Sequence, residues 1–197
     1  MTEAAVSARR SRISAEREAE LYEAVLDLLR EVGYESLTMD AVATRTRSSK
    51  ATLYRQWGGK PELVVRALKH NQRVSLADID TGSLRGDLTE MVERSDDCRM
   101  ERDNALMRGL SYAIHKDPEL HRALRDVLIA PEITGLNEML RRAVERGEVP
   151  EGHPALQYVV HMLIGAFAAR DLIDDRPVDR AFLRSYVDAV ILPALGV

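Results

Sequence analysis

The sequence has few of the residues that mark secreted, strand-rich or membrane-spanning proteins. Cys98 is the only cysteine, which makes an intrachain disulfide impossible and predicts a reducing, cytoplasmic location. Aromatic residues make up 5% of the chain, which argues against a strand-rich fold. No uninterrupted apolar run reaches the roughly 20 residues that span a bilayer, and no apolar segment follows Arg9, Arg10 and Arg12 as it would in a signal peptide. We therefore expect no membrane partner.

Motifs of catalysis and metal binding are also absent from the sequence. It contains no Gly-x-Ser-x-Gly, His-Glu-x-x-His or Gly-x-Gly-x-x-Gly pattern. Gly59-Lys60 lacks the earlier glycine of a phosphate-binding loop, because Tyr54 occupies that position. His115 and His121 do not have the spacing of metal ligands on a helix. The sequence predicts no cofactor, no metal and no enzymatic activity, with a small all-α enzyme as the remote alternative.

What the sequence does contain is apolar residues at helical spacing along most of its length, which predicts an all-α fold of about nine helices. We expect a flexible basic arm over residues 1–13, a helix-turn-helix domain over 14–75 and a larger helical domain over 76–197, separated by the polar run Asp78–Ser83. Pro131 is expected to break or kink a helix. The predicted helices are Ser14–Gly33, one capped by Thr38, Lys50–Trp57, one starting near Pro61, Leu84–Arg99, Asp103–His115, Pro118–Ala130, Glu132–Arg146, Pro154–Ile173 and Asp179–Leu192.

Positive charge is concentrated near the N-terminus of an otherwise acidic chain. The net charge of the whole chain is -4, yet residues 41–61 hold five basic residues and no acidic one. These basic residues are Arg45, Arg47, Lys50, Arg55 and Lys60. A basic segment on an acidic protein is typical of polyanion binding, although a solvated basic surface is the commoner explanation when charge is the only evidence.

The segment from Gly33 to Leu63 carries the most specific pattern. It combines Gly33-Tyr34, a helix capped by Thr38, the sequence Ser49-Lys50-Ala51-Thr52-Leu53-Tyr54 and a Lys60 that opens a fourth helix. This pattern closely resembles the DNA-binding domain of the TetR (tetracycline-repressor) family. The chain departs from the family pattern at Arg47-Ser48, where members usually have glycine and an apolar residue. A glycine there would ease a left-handed backbone conformation, so we expect a strained turn.

The resemblance implies a transcriptional repressor that binds palindromic double-stranded DNA. Phosphates would be bound by Thr38, Tyr54 and Lys60, and base edges would lie nearest Lys50 and Thr52 at the start of a recognition helix capped by Ser49. Three of the candidates also have a plainer interpretation: Thr38 as a cap only, Tyr54 as a core residue and Arg55 as a solvated side chain. The candidate DNA-binding residues are Thr38, Arg45, Ser49, Lys50, Thr52, Tyr54, Arg55 and Lys60.

The second half of the chain resembles the family more weakly. The stretches Thr81–Leu88 and Arg142–Glu148 are similar to turns in an actinobacterial-type subgroup of its C-terminal domains. The resemblance implies a small-molecule effector and a homodimer formed by the last two helices. The alternative to an effector-controlled regulator is an architectural DNA-binding protein without an effector. The alternative to the dimer is a monomer in which the apolar helix is buried in the core. The expected effector pocket comprises Met91, Met107, Leu110, Tyr112 and Leu128, and the expected dimer interface Leu163, Gly165, Phe167, Leu183, Tyr186, Val187 and Val190.

Overall fold

The computed structural model describes residues 14–71 and 76–197, so the arm predicted for residues 1–13 lies outside the described residues. Within those ranges the chain forms nine helices and no strand, which confirms the all-α prediction. Seven helices are regular over their assigned ranges or nearly so: α1 Ala15–Ser36, α2 Met39–Thr46, α3 Lys50–Trp57, α4 Lys60–Asn71, α5 Leu84–Glu93, α6 Asp97–Lys116 and α8 Val159–Asp174. The helix α7 consists of Pro118–Ala123, the π-helical stretch Leu124–Ile129 and Ala130–Glu145. The helix α9 consists of Arg180–Tyr186, the π-helical stretch Val187–Ile191 and Leu192–Leu195.

Side-chain caps determine where several helices begin. The side chains of Ser14, Thr38, Ser49, Ser83 and Asp179 each accept a hydrogen bond from a backbone N–H in the first turn of the following helix. The helices α2 and α3 have eight residues each, which is too short for stability in isolation. They persist because α2 packs against both α1 and α3, and α3 also packs against α4.

The predicted stop of the first helix lies at Gly33, where the helical dihedral angles of α1 are interrupted. Gly33 has a φ of 73° and a ψ of 168°, a conformation that glycine adopts far more readily than other residues. The chain then turns so that Tyr34 and Leu37 are buried and Thr38 caps α2. This interruption sets the direction in which the helix-turn-helix leaves α1.

The predicted boundary between the fifth and sixth helices is wrong. The sequence predicted a helix to Arg99 and the next from Asp103, but α5 ends at Glu93 and α6 begins at Asp97. The Ser95 hydroxyl donates to the Met91 carbonyl at 3.1 Å, which satisfies a carbonyl at the end of α5. The acidic Asp97 suits the positive end of the α6 dipole.

The sequence predicted a break or a kink at Pro131, and the break does not occur, because α7 continues through this proline. A proline inside a helix removes one hydrogen bond to the carbonyl four residues earlier. In α7 the turn before the proline is π-helical, and the Ala130 N–H donates to the Arg125 carbonyl, five residues back. The irregularity at the proline is therefore a π-helical stretch within one continuous helix.

Buried apolar side chains form two clusters, which share α7. The first, here called the N-terminal core, joins α1–α4 to the second half of α6 and to the first part of α7. The second, here called the C-terminal core, joins α5 and the rest of α7 to α8 and α9. The helix-turn-helix therefore packs on helices far along the chain, and α7 crosses from one core to the other.

A buried ionic cluster closes the C-terminal core next to α5. The carboxylate of Asp87 is fully buried, and its Oδ1 accepts hydrogen bonds from the backbone N–H and the hydroxyl of Thr81 at 2.6 and 2.7 Å. Its Oδ2 lies 3.7 Å from a guanidinium nitrogen of Arg142 and 3.5 Å from one of Arg146. Arg142 also donates to the Ile79 carbonyl at 2.6 Å. These contacts tie the segment before α5 to the end of α7.

The stretch Leu156–Asp174, which contains α8, is long and apolar enough to cross a membrane by length and composition alone. The sequence prediction did not allow for such a segment. Core helices of soluble proteins also pass this test, but only 17% of the tested window is buried within the protomer. An apolar helix face that stays this exposed needs a covering surface.

Candidate nucleic-acid interface and ligand cavity

The helix α3 is held by its buried side. Leu53 and Trp57 lie one helical turn apart, and Trp57 is only 3% exposed. The indole N–H of Trp57 donates to the hydroxyl of Tyr22 at 3.0 Å, and that hydroxyl donates to Glu18 at 2.9 Å. Burial is the main reason why the pKa of Tyr22 is raised to about 12. The two aromatic residues therefore fix α3 against α1 through a hydrogen-bonded chain that remains intact at neutral pH.

The opposite side of α3 is exposed and carries most of the predicted DNA-binding residues. Lys50, Tyr54 and Arg55 are exposed along one face, and Ala51 lies between them. Ser49 accepts from the backbone N–H of Thr52 at 3.1 Å, and the two hydroxyl oxygens are 2.8 Å apart. The structure thus brings Ser49, Lys50, Thr52, Tyr54 and Arg55 together on one short helix, with small polar groups at its N-terminus.

Two of the basic residues are paired with carboxylates that the sequence analysis did not single out. The Lys50 Nζ lies 2.5 Å from Asp40 Oδ1, and the hydrogen bond with Asp40 is the main cause of a raised Lys50 pKa. Arg45 donates two hydrogen bonds to Glu31, at 3.0 and 2.6 Å. All four side chains are exposed, so a phosphate can compete with either carboxylate.

The turn between α2 and α3 has the strained conformation that the sequence predicted. Arg47 has a φ of 50° and a ψ of 39°, in the left-handed region where glycine is favoured. The Arg47 N–H donates to the Thr44 carbonyl at 3.3 Å, and the Ser48 N–H donates to the Ala43 carbonyl at 3.0 Å. This pair of bonds is the Schellman motif that ends helices. The motif therefore forms without glycine and leaves Arg47 exposed beside α3.

Two further candidates lie at the edges of this surface. Thr38 is exposed, and its hydroxyl oxygen accepts from the Ala41 N–H at 3.1 Å. The Lys60 ammonium donates to the Tyr34 carbonyl at 2.9 Å and lies 4.2 Å from the centre of the Tyr34 ring. An ammonium has three donors, so the contacts with Tyr34 leave capacity for a phosphate. The assignment of both residues to DNA stays a prediction.

Tyr34 connects this surface to the helix that crosses both cores. Its buried hydroxyl donates to Asp117 Oδ2 at 2.8 Å, and Asp117 caps α7 through the N–H groups of Glu119 and Leu120. Burial by itself would raise the pKa of Asp117, but the hydrogen bonds from Leu120, Tyr34 and Glu119 hold it below its usual value. Burial, and next the hydrogen bond to Asp117, raise the pKa of Tyr34.

A cavity of about 670 Å³ lies within the C-terminal half of the chain. A cavity of this size accommodates a small organic molecule. Its apolar wall comes from α5–α9, and its polar wall comes mainly from the end of α5 and the start of α6. The polar lining residues are Arg94, Ser95, Asp96, Arg102, Asp103 and Glu132.

The structure brings only part of the predicted pocket to this cavity. Met91 and Leu128 line it. Leu110 is instead buried in the N-terminal core, and Met107 packs against the outside of that core. Tyr112 is exposed at the surface, with the Lys116 ammonium 4.2 Å from its ring centre. These three residues do not line this cavity, because this part of α6 turns its apolar side toward α1.

The predicted dimer interface divides in a similar way. Leu163, Leu183 and Val187 belong to the C-terminal core and line the cavity, as does the half-buried Phe167, so these side chains face the interior of their own protomer. Tyr186 is half-buried, and its hydroxyl donates to the Met162 carbonyl at 3.3 Å. Gly165 and Val190 are exposed. The periodicity identified an apolar face but could not tell which surface would cover it.

The outer side of α8 is apolar and exposed at residues that the sequence analysis missed. Leu172 is 87% exposed, and Ile164, which also lines the cavity, is 52% exposed. Tyr158 and Ile173 are exposed as well, and Val190 of α9 is at the margin of exposure. The sequence signal for this face was large apolar residues on neighbouring turns of α8. Because the helix is apolar on all sides, that signal does not tell which side faces outward.

Two protein-family models match the chain. The model described as "Bacterial regulatory proteins, tetR family" matches residues 21–67, which cover most of α1–α4. The model described as "Tetracyclin repressor-like, C-terminal domain" matches residues 78–190. The two matches together include the exposed face of α3 and most of the cavity wall.

Individual proteins give the same result. The chain is 35% identical over 180 residues to an uncharacterised HTH-type transcriptional regulator of Mycobacterium tuberculosis, covering 91% of this chain and 88% of the relative. It is 33% identical over 177 residues to the DNA-binding transcriptional repressor TetR of Mycobacteroides abscessus, covering 89% and 92%. Among solved structures, the TetR family transcription regulator SCO0332 matches with 31% identity and a TM-score of 0.66, covering 91% and 98%. A putative regulator from Rhodococcus sp., at 19% identity, a TM-score of 0.72 and coverage of 92% and 100%, shares the fold.

Proposed function

Since this chain belongs to the TetR family and is a DNA-binding transcriptional regulator, we propose that it is a cytoplasmic homodimeric repressor that a small-molecule effector releases from a palindromic operator. The exposed face of α3 carries the proposal. Lys50, Tyr54 and Arg55 point to solvent, while Leu53 and Trp57 anchor the opposite side. An exposed helix with polar residues at its N-terminus fits a DNA major groove.

The repressor reads DNA through the small polar N-terminus of α3 and holds it through the surrounding cations. Ser49 and Thr52 lie where the helix meets base edges. The resemblance placed Lys50 nearest the base edges as well, but its pairing with Asp40 favours a phosphate contact, in which Lys50 exchanges Asp40 for a phosphate when DNA binds. Arg45, Tyr54, Arg55 and Lys60 flank this contact, and Thr38 borders it at the start of α2. Arg47 adds a further cation from the strained turn.

Dimerisation follows from the uncovered outer side of α8. Leu172 and Ile173 are too exposed and too apolar for a protomer surface, and a second copy of the same face buries them. Gly165 lies on this face, where its missing side chain allows two helices to approach closely. Family members are typically dimeric, which supports the same arrangement. The two α3 helices of such a dimer meet successive major grooves about 34–36 Å apart.

The test is a titration of the protein with duplex DNA from its own upstream region at several salt concentrations. Lys50→Ala removes one phosphate contact, so the slope of log affinity against log salt should flatten by about one unit. Arg141→Ala is the control: Arg141 is exposed and paired with Glu138, but it lies on the far half of α7, and its removal should leave the slope unchanged.

Two results would contradict the proposal. One is a Lys50→Ala variant with the affinity and salt slope of the wild type. The other is a wild-type protein that light scattering finds monomeric at micromolar concentration, because a monomer has no dyad with which to match a palindrome.

A further inference from the structure

We propose, resting on the effector function proposed above, that the cavity takes an amphipathic organic cation whose charged group competes with Lys69 and Asn71 for the cavity-wall carboxylates Glu132 and Asp103. Such a ligand would detach the C-terminal end of α4 from the cavity wall. This assigns both a chemical class to the effector and a point at which its binding reaches the DNA-binding domain.

Among the contacts that the described residues show between α4 and the cavity wall, two are polar contacts between side chains. The Lys69 Nζ lies 2.7 Å from Glu132 Oε1, and the Asn71 Nδ2 donates to Asp103 Oδ1 at 2.8 Å. Lys69 and Asn71 are on the last turn of α4, while Glu132 and Asp103 line the cavity from α7 and α6. The same two carboxylates therefore serve as ligand-facing groups and as the attachment of α4.

The carboxylate that holds Lys69 is the group on the cavity wall that calls for a cation. The wall as a whole carries three carboxylates and two guanidinium groups, and Glu132 is paired with Lys69 at 2.7 Å. One guanidinium, that of Arg94, is held by Glu90 at 2.7 Å, and the other, that of Arg102, is exposed. A ligand ammonium that takes the place of Lys69 keeps Glu132 paired with a positive charge, whereas an anion at that position would leave Glu132 beside a like charge.

The apolar part of the cavity wall indicates what the uncharged part of the ligand looks like. Met91, Met100 and Ile133 lie on the same cavity as the carboxylates, and Phe167 lines it from α8. Methionine side chains adapt to ligands of different shape. The wall thus fits a molecule with an extended apolar body and one positive end.

Displacement of Lys69 and Asn71 affects DNA binding because α4 follows directly on the recognition helix. α4 begins two residues after α3, packs against α1 and carries Lys60 at its first position. If the ligand binds better when α4 is released, DNA must weaken ligand binding by the same factor by which the ligand weakens DNA binding.

The experiment uses three probes of the same size and different charge: decylamine, decan-1-ol and decanoate, each below its micelle-forming concentration. Their affinities for the full-length protein are measured by calorimetry, and their effect on operator binding is measured in the same buffer. We expect decylamine to bind about tenfold more tightly than decan-1-ol, decanoate to bind most weakly, and decylamine to weaken operator binding.

Three variants test whether the ligand competes with Lys69 for Glu132 or whether this ion pair has only a structural role. Glu132→Gln should reduce the affinity for decylamine to that for decan-1-ol. Lys69→Met should raise the affinity for decylamine, because it removes the internal competitor for Glu132. Arg66→Met, on the same helix but paired with Glu62 at 2.7 Å and not with the cavity wall, should leave both affinities unchanged.

Equal affinities for decylamine and decan-1-ol, tighter binding of decanoate, or no binding of any probe would each overturn the cation assignment. A loss of decylamine binding in Lys69→Met would overturn the competition. Operator binding by the ligand-free protein is measured in the same titrations, and its failure alone would count against the proposed function itself.

Discussion

The two hydrophobic cores of this chain differ in what they enclose. The N-terminal core closes on hydrogen-bonded aromatic groups, since Trp57, Tyr22 and Tyr34 all have polar partners. The C-terminal core surrounds a cavity of about 670 Å³ and contains the buried Asp87, whose Oδ2 has no hydrogen-bond partner. A surface that reads DNA needs a fixed geometry, whereas a surface that senses a ligand needs room. The proposed repressor needs both, and α7 joins the core that supports the DNA-binding face to the core that surrounds the larger cavity.

The largest effect should come from removing the charge at the base of the C-terminal core. Asp87→Ala leaves Arg142 and Arg146 without their buried partner and also removes the oxygen that accepts from the backbone N–H and the hydroxyl of Thr81. We expect a loss of about 3 kcal/mol in the free energy of unfolding, near the low end for a broken buried pair because both arginines stay partly exposed. Denaturant unfolding followed by circular dichroism measures it.

The control for this change is Asp80→Ala. Asp80 lies 3.9 Å from Arg142 and 3.8 Å from Arg146, but it is exposed, so its removal should change stability by less than about 0.5 kcal/mol. Trp57, the only tryptophan, reports on the N-terminal core by fluorescence. Because α7 crosses both cores, the unfolding transition followed by Trp57 fluorescence should shift together with the one followed by circular dichroism in Asp87→Ala. A fluorescence transition that stays in place would mean that the cores unfold separately.

A smaller loss should follow from breaking the hydrogen-bonded chain in the N-terminal core. Tyr22→Phe keeps the ring but leaves the buried indole N–H of Trp57 without an acceptor, which should cost about 1–2 kcal/mol of stability. Tyr54→Phe removes a hydroxyl from an exposed ring and should leave stability unchanged. Equal stabilities of the two variants would show that the chain of bonds does not hold α3 in place.

The smallest effect, and the only gain, is expected at the strained turn. Arg47→Gly relieves a left-handed conformation but adds freedom to the unfolded chain, so the net gain should be about 0.5 kcal/mol. Operator affinity should fall at the same time if Arg47 contacts a phosphate. Asp175→Gly is the matched control, because Asp175 has a φ of 51° and lies outside the helix-turn-helix. A destabilised Arg47→Gly would argue against strain at this turn.

The sequence by itself determined the helical class, the caps of α2 and α3, and the exposed face of the recognition helix. Thr38, Ser49 and Gly33 each act on backbone groups within about one helical turn, so their effect is encoded in adjacent residues. The strained Arg47 could be predicted for the same reason. Pro131 was the local signal that misled, because the π-helical stretch before it depends on how α7 packs.

Only the tertiary structure decided what each apolar or charged face meets. Leu163 and Val187 have the spacing of an interface but face the cavity, and Lys60 lies on Tyr34 instead of pointing freely to solvent. The contacts of α4 with the cavity wall join residues 32 and 63 positions apart. Spacing along a helix fixes which side chains share a face, but the orientation of one helix against another sets their partners, and that orientation results from all the contacts acting together.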